Sequence, residues 1–156
     1  MIILGIDPGT TRIGWAFLKV GRKNILPLDY GCWELNVTTQ GERLEKIAKN
    51  ISKAIKQYHP AYMAIEKIFF FRNAKTAMEI SEAKGVIILT ARKNHLSYIE
   101  LSPLEIKQNL TGYGRARKKD VQKAVQFIFS LKEIPQPDDA ADALAIALAG
   151  ANKIKK

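Results

Sequence analysis

The chain is organised around residues 2–11, which read IILGIDPGTT. The first half is a run of β-forming apolar residues, and Pro8-Gly9 cannot continue a strand ladder, so the run predicts a short strand buried on both faces. Asp7 follows where this strand leaves the core. A carboxylate there is costly unless a cation neutralises it, and ligands bind at this edge of an open α/β sheet. The pattern leaves open whether Asp7 binds a ligand or only closes the turn through its own backbone.

Composition limits the class of protein. The chain has 156 residues, of which 47% are hydrophobic and 26% charged, and this is ordinary for one globular domain. We expect a single domain over residues 1–150 and a basic, mobile tail over 151–156. Lys and Arg number 25 against 15 Asp and Glu, a net charge of +10. This surplus favours a polyanionic partner, nucleic acid ahead of a membrane surface.

Cysteine usage and hydropathy indicate the compartment. The single Cys32 excludes an intrachain disulfide and fits a reducing environment. No apolar run approaches the ~20 residues of a membrane span, and the N-terminal apolar run lacks the basic region of a signal peptide. The sequence therefore predicts a cytosolic protein without a membrane partner.

The order of the predicted elements is typical of an α/β fold. After the first strand, further strands are predicted over residues 13–20, 25–37, 61–66 and 97–101, the first three strands forming an antiparallel meander. Helices are predicted over 41–58 and 73–93, after the basic run 115–119, and over 138–149. A brief helix is also predicted from 102, where Ser102 and Glu105 form a capping-box pattern, and the glycines at 112 and 114 end it. Gly85 inside the second helix costs about 1 kcal/mol relative to Ala, which predicts close packing against another backbone. Together these elements predict a mixed five-stranded sheet with helices on both faces.

Carboxylates stand out at two strand ends and on the last helix. Asp7 and Glu66 each end a buried strand, and Asp142 shares a helix face with either Asp138 or Asp139. Paired aspartates repel each other, and a divalent cation or a basic side chain between them relieves the repulsion. Carboxylate oxygens without His or Cys suit Mg²⁺ or Mn²⁺. Asp138 and Asp139 could instead only interact favourably with the helix dipole from the first turn. This does not explain Asp142, which lies beyond the first turn.

These features are consistent with phosphodiester hydrolysis. Carboxylates that hold two Mg²⁺ ions about 3.5–4 Å apart activate a water molecule and stabilise the leaving oxygen. A basic domain would bind the polyanionic substrate. The charge surplus and the carboxylates therefore indicate the same chemistry.

Three motifs, in order, resemble those of the RuvC family of Holliday-junction resolvases, nucleases with an RNase H-like fold. The resemblance extends along almost the whole chain. It rests on GIDPG at residues 5–9, on AIE at 64–66 followed by Phe69 and Asn73, and on DAADALAIA at 139–147. It implies that the catalytic, metal-binding carboxylates are Asp7, Glu66, Asp139 and Asp142, with Asp138 outside the motif. These would hold two Mg²⁺ ions, for which Mn²⁺ can substitute.

The same resemblance implies how the protein acts. It would be a homodimer that places symmetric nicks in two opposed strands of a four-way DNA junction during recombination and repair. A branch-migration motor complex would be its partner, in the nucleoid-associated cytoplasm of a bacterial-type cell.

Basic residues are the next candidates. By resemblance, Lys107 and Lys118 match lysines near the scissile phosphate, where an ammonium group neutralises charge that develops in phosphoryl transfer. We assign Lys118 to the catalytic set, whereas a solvated helix face explains Lys107 equally well. Lys118 lies in a basic segment beside two glycines, which is suited to phosphate contact. The segment also supplies the predicted DNA contacts Arg115, Arg117 and Lys119, and which of Lys118 and Lys119 acts at the scissile phosphate stays open.

Three consecutive phenylalanines follow Glu66, at residues 69–71. Alternate side chains of a strand point to opposite faces, so these three cannot all face one core. Exposed aromatic side chains beside a cation fit stacking on unpaired bases. By resemblance, Phe69 stacks at the junction centre, and we predict that Arg72 and Asn73 contact DNA with it. Phe70 and Phe71 depart from the family pattern and are alternative candidates for the dimer interface.

Other classes of protein share some of these sequence features. Residues 7–11 also resemble the phosphate-binding loop of sugar kinases and actin-like ATPases, but 156 residues cannot supply the two domains that clamp a nucleotide, and the +10 charge would go unexplained. A junction-binding protein without cleavage conflicts with the presence of all four carboxylates. An RNase H-like nuclease that acts on RNA is the remaining alternative. We predict a metal-dependent, structure-selective DNA endonuclease.

Overall fold

The described residues form one mixed sheet of five strands. The computed structural model describes residues 1–68 and 74–155. The strands are β1 (Ile2–Asp7), β2 (Arg12–Val20), β3 (Ile25–Glu34), β4 (Tyr62–Glu66) and β5 (Ser97–Leu101). Their spatial order is β3-β2-β1-β4-β5; β1 to β3 form the antiparallel meander, while β4 pairs in parallel with β1 and β5. The predicted sheet is confirmed, although β3 ends at Glu34 rather than at residue 37.

Helices cover both faces of this sheet, as predicted. They are α1 (Gln40–Tyr58), α2 (Ala74–Lys93), α3 (Pro103–Thr111), α4 (Lys118–Ile128) and α5 (Asp138–Lys155). The apolar sides of α1 and α2 bury one face together with the strands, and α3, α4 and α5 bury the other. Within the described part of the chain, no helix is both long enough and apolar enough to cross a membrane.

Helix α3 is fixed at both ends by the residues that the sequence indicated. The Ser102 hydroxyl accepts from the Glu105 N–H at 3.2 Å, and the Glu105 carboxylate accepts from the Ser102 N–H at 2.7 Å, which is the predicted capping box. Gly112 ends the helix with a φ of 74°, and its N–H donates to the Gln108 carbonyl oxygen at 2.9 Å. The capped helix holds Lys107 at a defined position.

Helix α5 crosses the sheet at unusually short range because glycines face it. A Cβ atom on Gly5 would lie 2.3 Å from the Ala143 carbonyl oxygen, and one on Gly14 would lie 2.0 Å from the Asp139 carbonyl oxygen. Gly14 is paired with Asp7 in the β1–β2 ladder. The close approach at Gly14 therefore brings the first turn of α5 next to the end of β1.

The predicted end of the last helix is wrong. Helix α5 continues to Lys155 instead of ending at Ala149, so residues 151–155 are its last turn rather than a separate tail. Ala151 is fully buried, the Lys153 ammonium group lies 2.9 Å from the Glu105 carboxylate, and Lys155 donates to the Gly21 carbonyl oxygen at 2.8 Å. These contacts with distant parts of the chain extend the helix beyond what local sequence indicates.

The close packing predicted at Gly85 is absent from the described part of the chain. No heavy atom of those residues lies within 4 Å of the position that a Cβ on Gly85 would take. Gly85 is exposed on the outer face of α2. Among the described residues, no packing contact offsets the cost of this glycine to the helix.

Candidate active site

Two adjacent parallel strands deliver carboxylates to the same edge of the sheet. Ile6 of β1 is opposite Ile65 of β4, so the next residues, Asp7 and Glu66, emerge side by side. Asp142, from the second turn of α5, joins them around a cavity of ≈ 230 Å³. The residues that line this cavity, called here the catalytic cavity, are Asp7, Glu66, Pro103, Ile106, Lys107, Lys118, Val121, Asp142, Ala145 and Ile146.

Asp139 lies beside the catalytic cavity rather than in its lining. It borders a neighbouring polar cavity of ≈ 450 Å³ together with Thr10, Thr11, Arg12 and Glu34, among others. Its charge still contributes to raising the pKa of Asp7, after burial and the charges of Asp142 and Glu66. Three of the four predicted carboxylates thus share one cavity, and the fourth acts on it from the adjoining one.

Burial and repulsion by neighbouring carboxylates make the charged form of these three groups costly. Burial, followed by the charges of Asp142 and Glu66, raises the pKa of Asp7 well above its usual range. Burial, followed by the charge of Asp142, raises the pKa of Glu66 to about 7, although Lys107 opposes the shift. Burial also raises the pKa of Asp142, against the effect of Lys118. A cation in this cavity would relieve all three carboxylates.

Lys118 supplies one such cation. Its ammonium group lies 2.5 Å from the Asp138 carboxylate and 2.9 Å from the Asp142 carboxylate. Burial disfavours the charged ammonium, but hydrogen bonds to Asp138 and Asp142 raise the pKa of Lys118 above its ordinary value. Of the two neighbouring lysines that the sequence could not separate, Lys118 lines the catalytic cavity and Lys119 is exposed outside that lining.

The donor set fits a divalent cation. Among residues 1–68 and 74–155, no three Asp, Glu, His or Cys side chains are grouped so as to hold a metal ion in their present positions. The carboxylates of Asp7, Glu66 and Asp142 nevertheless line one cavity, and after burial the charges of Asp142 and Glu66 raise the pKa of Asp7. Carboxylate oxygens are the donors that Mg²⁺ and Mn²⁺ prefer. The chemistry of the site thus suits a hard divalent ion.

The described residues include three of the other predicted DNA contacts, Lys107, Arg115 and Arg117. Phe69, Arg72 and Asn73 lie outside the described residues. Lys107 lines the catalytic cavity from α3. Arg115 and Arg117 are exposed on the loop of residues 112–117 that leads into α4. The Arg117 guanidinium is already paired with Asp120, at 3.0 Å.

No pattern in the sequence indicates the role of Arg43. This largely buried side chain of α1 donates to the Thr10 carbonyl oxygen at 3.0 Å and lies 3.5 Å from the Glu79 carboxylate of α2. Arg43 therefore ties the turn after Asp7 to two helices. In the sequence, Arg43 is one of several cationic residues on an amphipathic helix. Only the fold shows that its side chain is not solvated like those of the other cationic residues.

The sheet order and the carboxylates at the ends of β1 and β4 and on the crossing helix define an RNase H-like nuclease. The model of the family described as crossover junction endodeoxyribonuclease RuvC matches residues 3–150. A curated relative from Desulfitobacterium hafniense, with the same description, is 42% identical over 155 residues, covering 99% of this chain and 94% of that protein.

Solved structures agree with this result. Thermus thermophilus RuvC superposes with a TM-score of 0.91 at 31% identity, covering 99% of this chain and 96% of that one. Thermus thermophilus RuvC in complex with a Holliday junction substrate gives a TM-score of 0.92 at 31% identity, covering 99% and 95%. The chain belongs to the RuvC family of crossover junction endodeoxyribonucleases. This confirms the predicted family and the predicted nuclease class, and nucleases of this family are metal-dependent.

Proposed function

We propose that this protein resolves four-way DNA junctions by placing paired nicks in two opposed strands. The main support is that Asp7, Glu66, Asp142 and Lys118 line one cavity on a domain of net charge +10. A related protein of 31% identity was solved with a Holliday junction, which supports the same substrate here. A basic surface attracts the nucleic acid backbone, and the carboxylates provide the hydrolytic centre.

In this proposal, Mg²⁺ is the natural metal, two ions act per site and Mn²⁺ can replace it. Asp7, Glu66, Asp139 and Asp142 would hold the ions, and the bound ions would supply an activated water and stabilise the leaving oxygen. With Asp142 bound to a metal ion, Lys118 would be released from its pairing with that carboxylate. Its ammonium group would then neutralise charge that develops on the scissile phosphate.

The remaining DNA contacts are assigned by position and charge. Lys107 reaches the scissile region from α3, because it lines the catalytic cavity. Arg115 and Lys119 are exposed where α4 begins and bind neighbouring phosphates. Arg117 adds to the basic surface in spite of its pairing with Asp120. Phe69 keeps the stacking role at the junction centre that the family resemblance implies, and Arg72 and Asn73 stay predicted DNA contacts.

A homodimer would explain why the nicks come in pairs. The outer face of α2 presents Met78 and Leu89, which are 64% and 54% exposed, on either side of the open position at Gly85. These residues lie on one side of the helix, opposite the buried Ala83 and Ile87. We assign this outer face of α2 to the dimer contact. A branch-migration motor complex remains the proposed partner, in the bacterial cytoplasm near the nucleoid.

A cleavage assay tests the proposed function. A synthetic four-way junction, a linear duplex and an RNA–DNA hybrid are incubated with the protein in Mg²⁺ and then in EDTA. We expect paired nicks in the junction alone, lost in EDTA. Asp7→Asn, Glu66→Gln, Asp139→Asn and Asp142→Asn should each lower the rate at least about 10²-fold, as expected when charge stabilisation at the reacting phosphate is removed. Junction binding in EDTA should be largely unchanged.

Asp138→Asn is the matched control. Its carboxylate is close to Asp142 along the helix and also contacts Lys118, yet it does not line the catalytic cavity. Near-normal cleavage is expected. An inactive Asp138→Asn beside an active Asp139→Asn would show that the carboxylates have been paired wrongly. Cutting of the hybrid in place of the junction would assign the protein to RNA instead.

A further inference from the structure

Tyr113 is an exposed aromatic side chain on the loop that joins two helices lining the catalytic cavity. It lies on the loop of residues 112–117, which joins α3 to α4, and it is 61% exposed. The helices on either side supply Lys107 and Lys118 to the cavity. By contrast, Trp15 stacks with Trp33 at 5.6 Å between ring centroids, and both partly buried rings pack against the core on the α1 side of the sheet. Nothing in the described part of the chain buries the Tyr113 ring.

The backbone that carries Tyr113 is held in place on both sides. The Thr111 hydroxyl donates to the Lys107 carbonyl oxygen at 2.8 Å and accepts from the Tyr113 N–H at 3.2 Å. The Ala116 N–H donates to the Tyr113 carbonyl oxygen at 3.1 Å, and the Ala116 side chain is buried. The ring is therefore presented to solvent from a defined position. Such an arrangement lowers the entropy that binding would otherwise cost.

The groups around Tyr113 match the chemistry of a nucleotide. Arg115 is exposed two residues further along the loop, and the cavity lysines lie on the flanking helices. Cations bind phosphates, and aromatic faces stack on bases that have left a duplex. Together they would hold a strand by its backbone and by one of its bases. A four-way junction opened for cleavage provides such unstacked bases beside the cut.

We propose that Tyr113 is a stacking site for a nucleobase beside the scissile phosphate, and that this contact favours some cleavage sequences over others. This inference rests on the proposed cleavage of four-way junctions. Stacking strength differs between bases, so a strand whose flanking base stacks well on the phenol ring is held longer in the cutting position. The contact uses the ring face, and the hydroxyl group is not required.

Two measurements on the full-length protein test this inference. In EDTA, junctions with 2-aminopurine at successive positions beside the cleavage site report stacking through their fluorescence. In Mg²⁺, single-turnover rates are compared across junctions that differ in the flanking bases. We expect Tyr113→Ala to cut the preferred junction about 10-fold to 100-fold more slowly, to lose the fluorescence change and to level the rates between sequences, as the loss of one base–aromatic stack implies. Tyr113→Phe should retain both behaviours.

Phe127→Ala is the control for loss of an exposed aromatic ring. Phe127 is 86% exposed and lies nine residues beyond Lys118 on α4, about 13 Å along the helix axis. It should cut and bind like the wild type. Wild-type rates for Tyr113→Ala, or an equal slowing of every junction without a fluorescence change, would overturn the inference. A wild-type protein that does not nick but shows the Tyr113-dependent fluorescence change would support the stacking site and refute the proposed function.

Discussion

At the scale of the residue, Glu66 shows that folding places a carboxyl group where its charged form is disfavoured. Burial, then repulsion by Asp142, raises the pKa of this carboxyl to about 7 from an ordinary 4.5. Between these two pH values the native protein binds more protons than the unfolded chain, so its stability falls as the pH rises. The contribution of the protonated Glu66 carboxyl to the free energy of unfolding is fully present below about pH 4.5. It is lost as the pH rises through about 7. The loss is of the order of 3 kcal/mol.

Thermal unfolding in EDTA between pH 5 and pH 8 tests the predicted fall in stability with rising pH. The melting temperature of the wild type should fall across the range. Mg²⁺ should raise it more at pH 8 than at pH 5, because the ion binds the deprotonated carboxylates. Glu66→Gln should flatten the dependence on pH in part, because the raised pKa of Asp7 contributes a slope of the same sign. An unchanged slope in Glu66→Gln would show that this group does not carry the effect.

At the scale of the element, local sequence accounts for most of the fold. The strand over 97–101 has the bounds that alternation and flanking residues predict, and the capping box at Ser102 is formed as expected. These signals depend on residues close together in the chain. The end of α5 and the pairing of Lys118 with Asp138 depend on segments far apart in sequence, so no local pattern could indicate them.

The position of α5 against the sheet gives a prediction at this scale. Gly14→Ala would place a Cβ atom 2.0 Å from the Asp139 carbonyl oxygen, so the first turn of the helix must shift. We expect a loss of about 1–3 kcal/mol in the free energy of unfolding, as for other overpacked sites. Cleavage should fall at least about 10-fold in protein that is still folded, since Asp139 and Asp142 move with the helix. Denaturant titration and the junction assay measure the two effects.

Gly41→Ala is the matched control for this change. Gly41 lies in α1, and no heavy atom of the described residues is within 4 Å of its added Cβ. The substitution should stabilise the protein slightly or leave it unchanged, because Ala has the higher helix propensity. If Gly14→Ala matches Gly41→Ala in both measurements, then the close approach of α5 does not position the carboxylates.

At the scale of the whole molecule, paired nicks require two catalytic cavities at a fixed separation. One chain provides one catalytic cavity among its described residues. The outer face of α2 offers the exposed apolar side chains of Met78 and Leu89, with space for a close neighbour at Gly85. Burying this face against a second copy of the chain would remove apolar surface from water and so stabilise the dimer.

Leu89→Glu should therefore convert the proposed dimer to a monomer, because two charges would be buried against each other across the symmetric contact. Sedimentation measurements over a range of protein concentrations should show the wild type as a dimer and the variant as a monomer, with similar stability of the fold. Phe127→Glu, which places the same charge at another exposed apolar position, should stay dimeric. The monomer should also nick one strand of a junction without coordinated cutting of the opposed strand. A Leu89→Glu protein that remains a dimer would place the contact on another face.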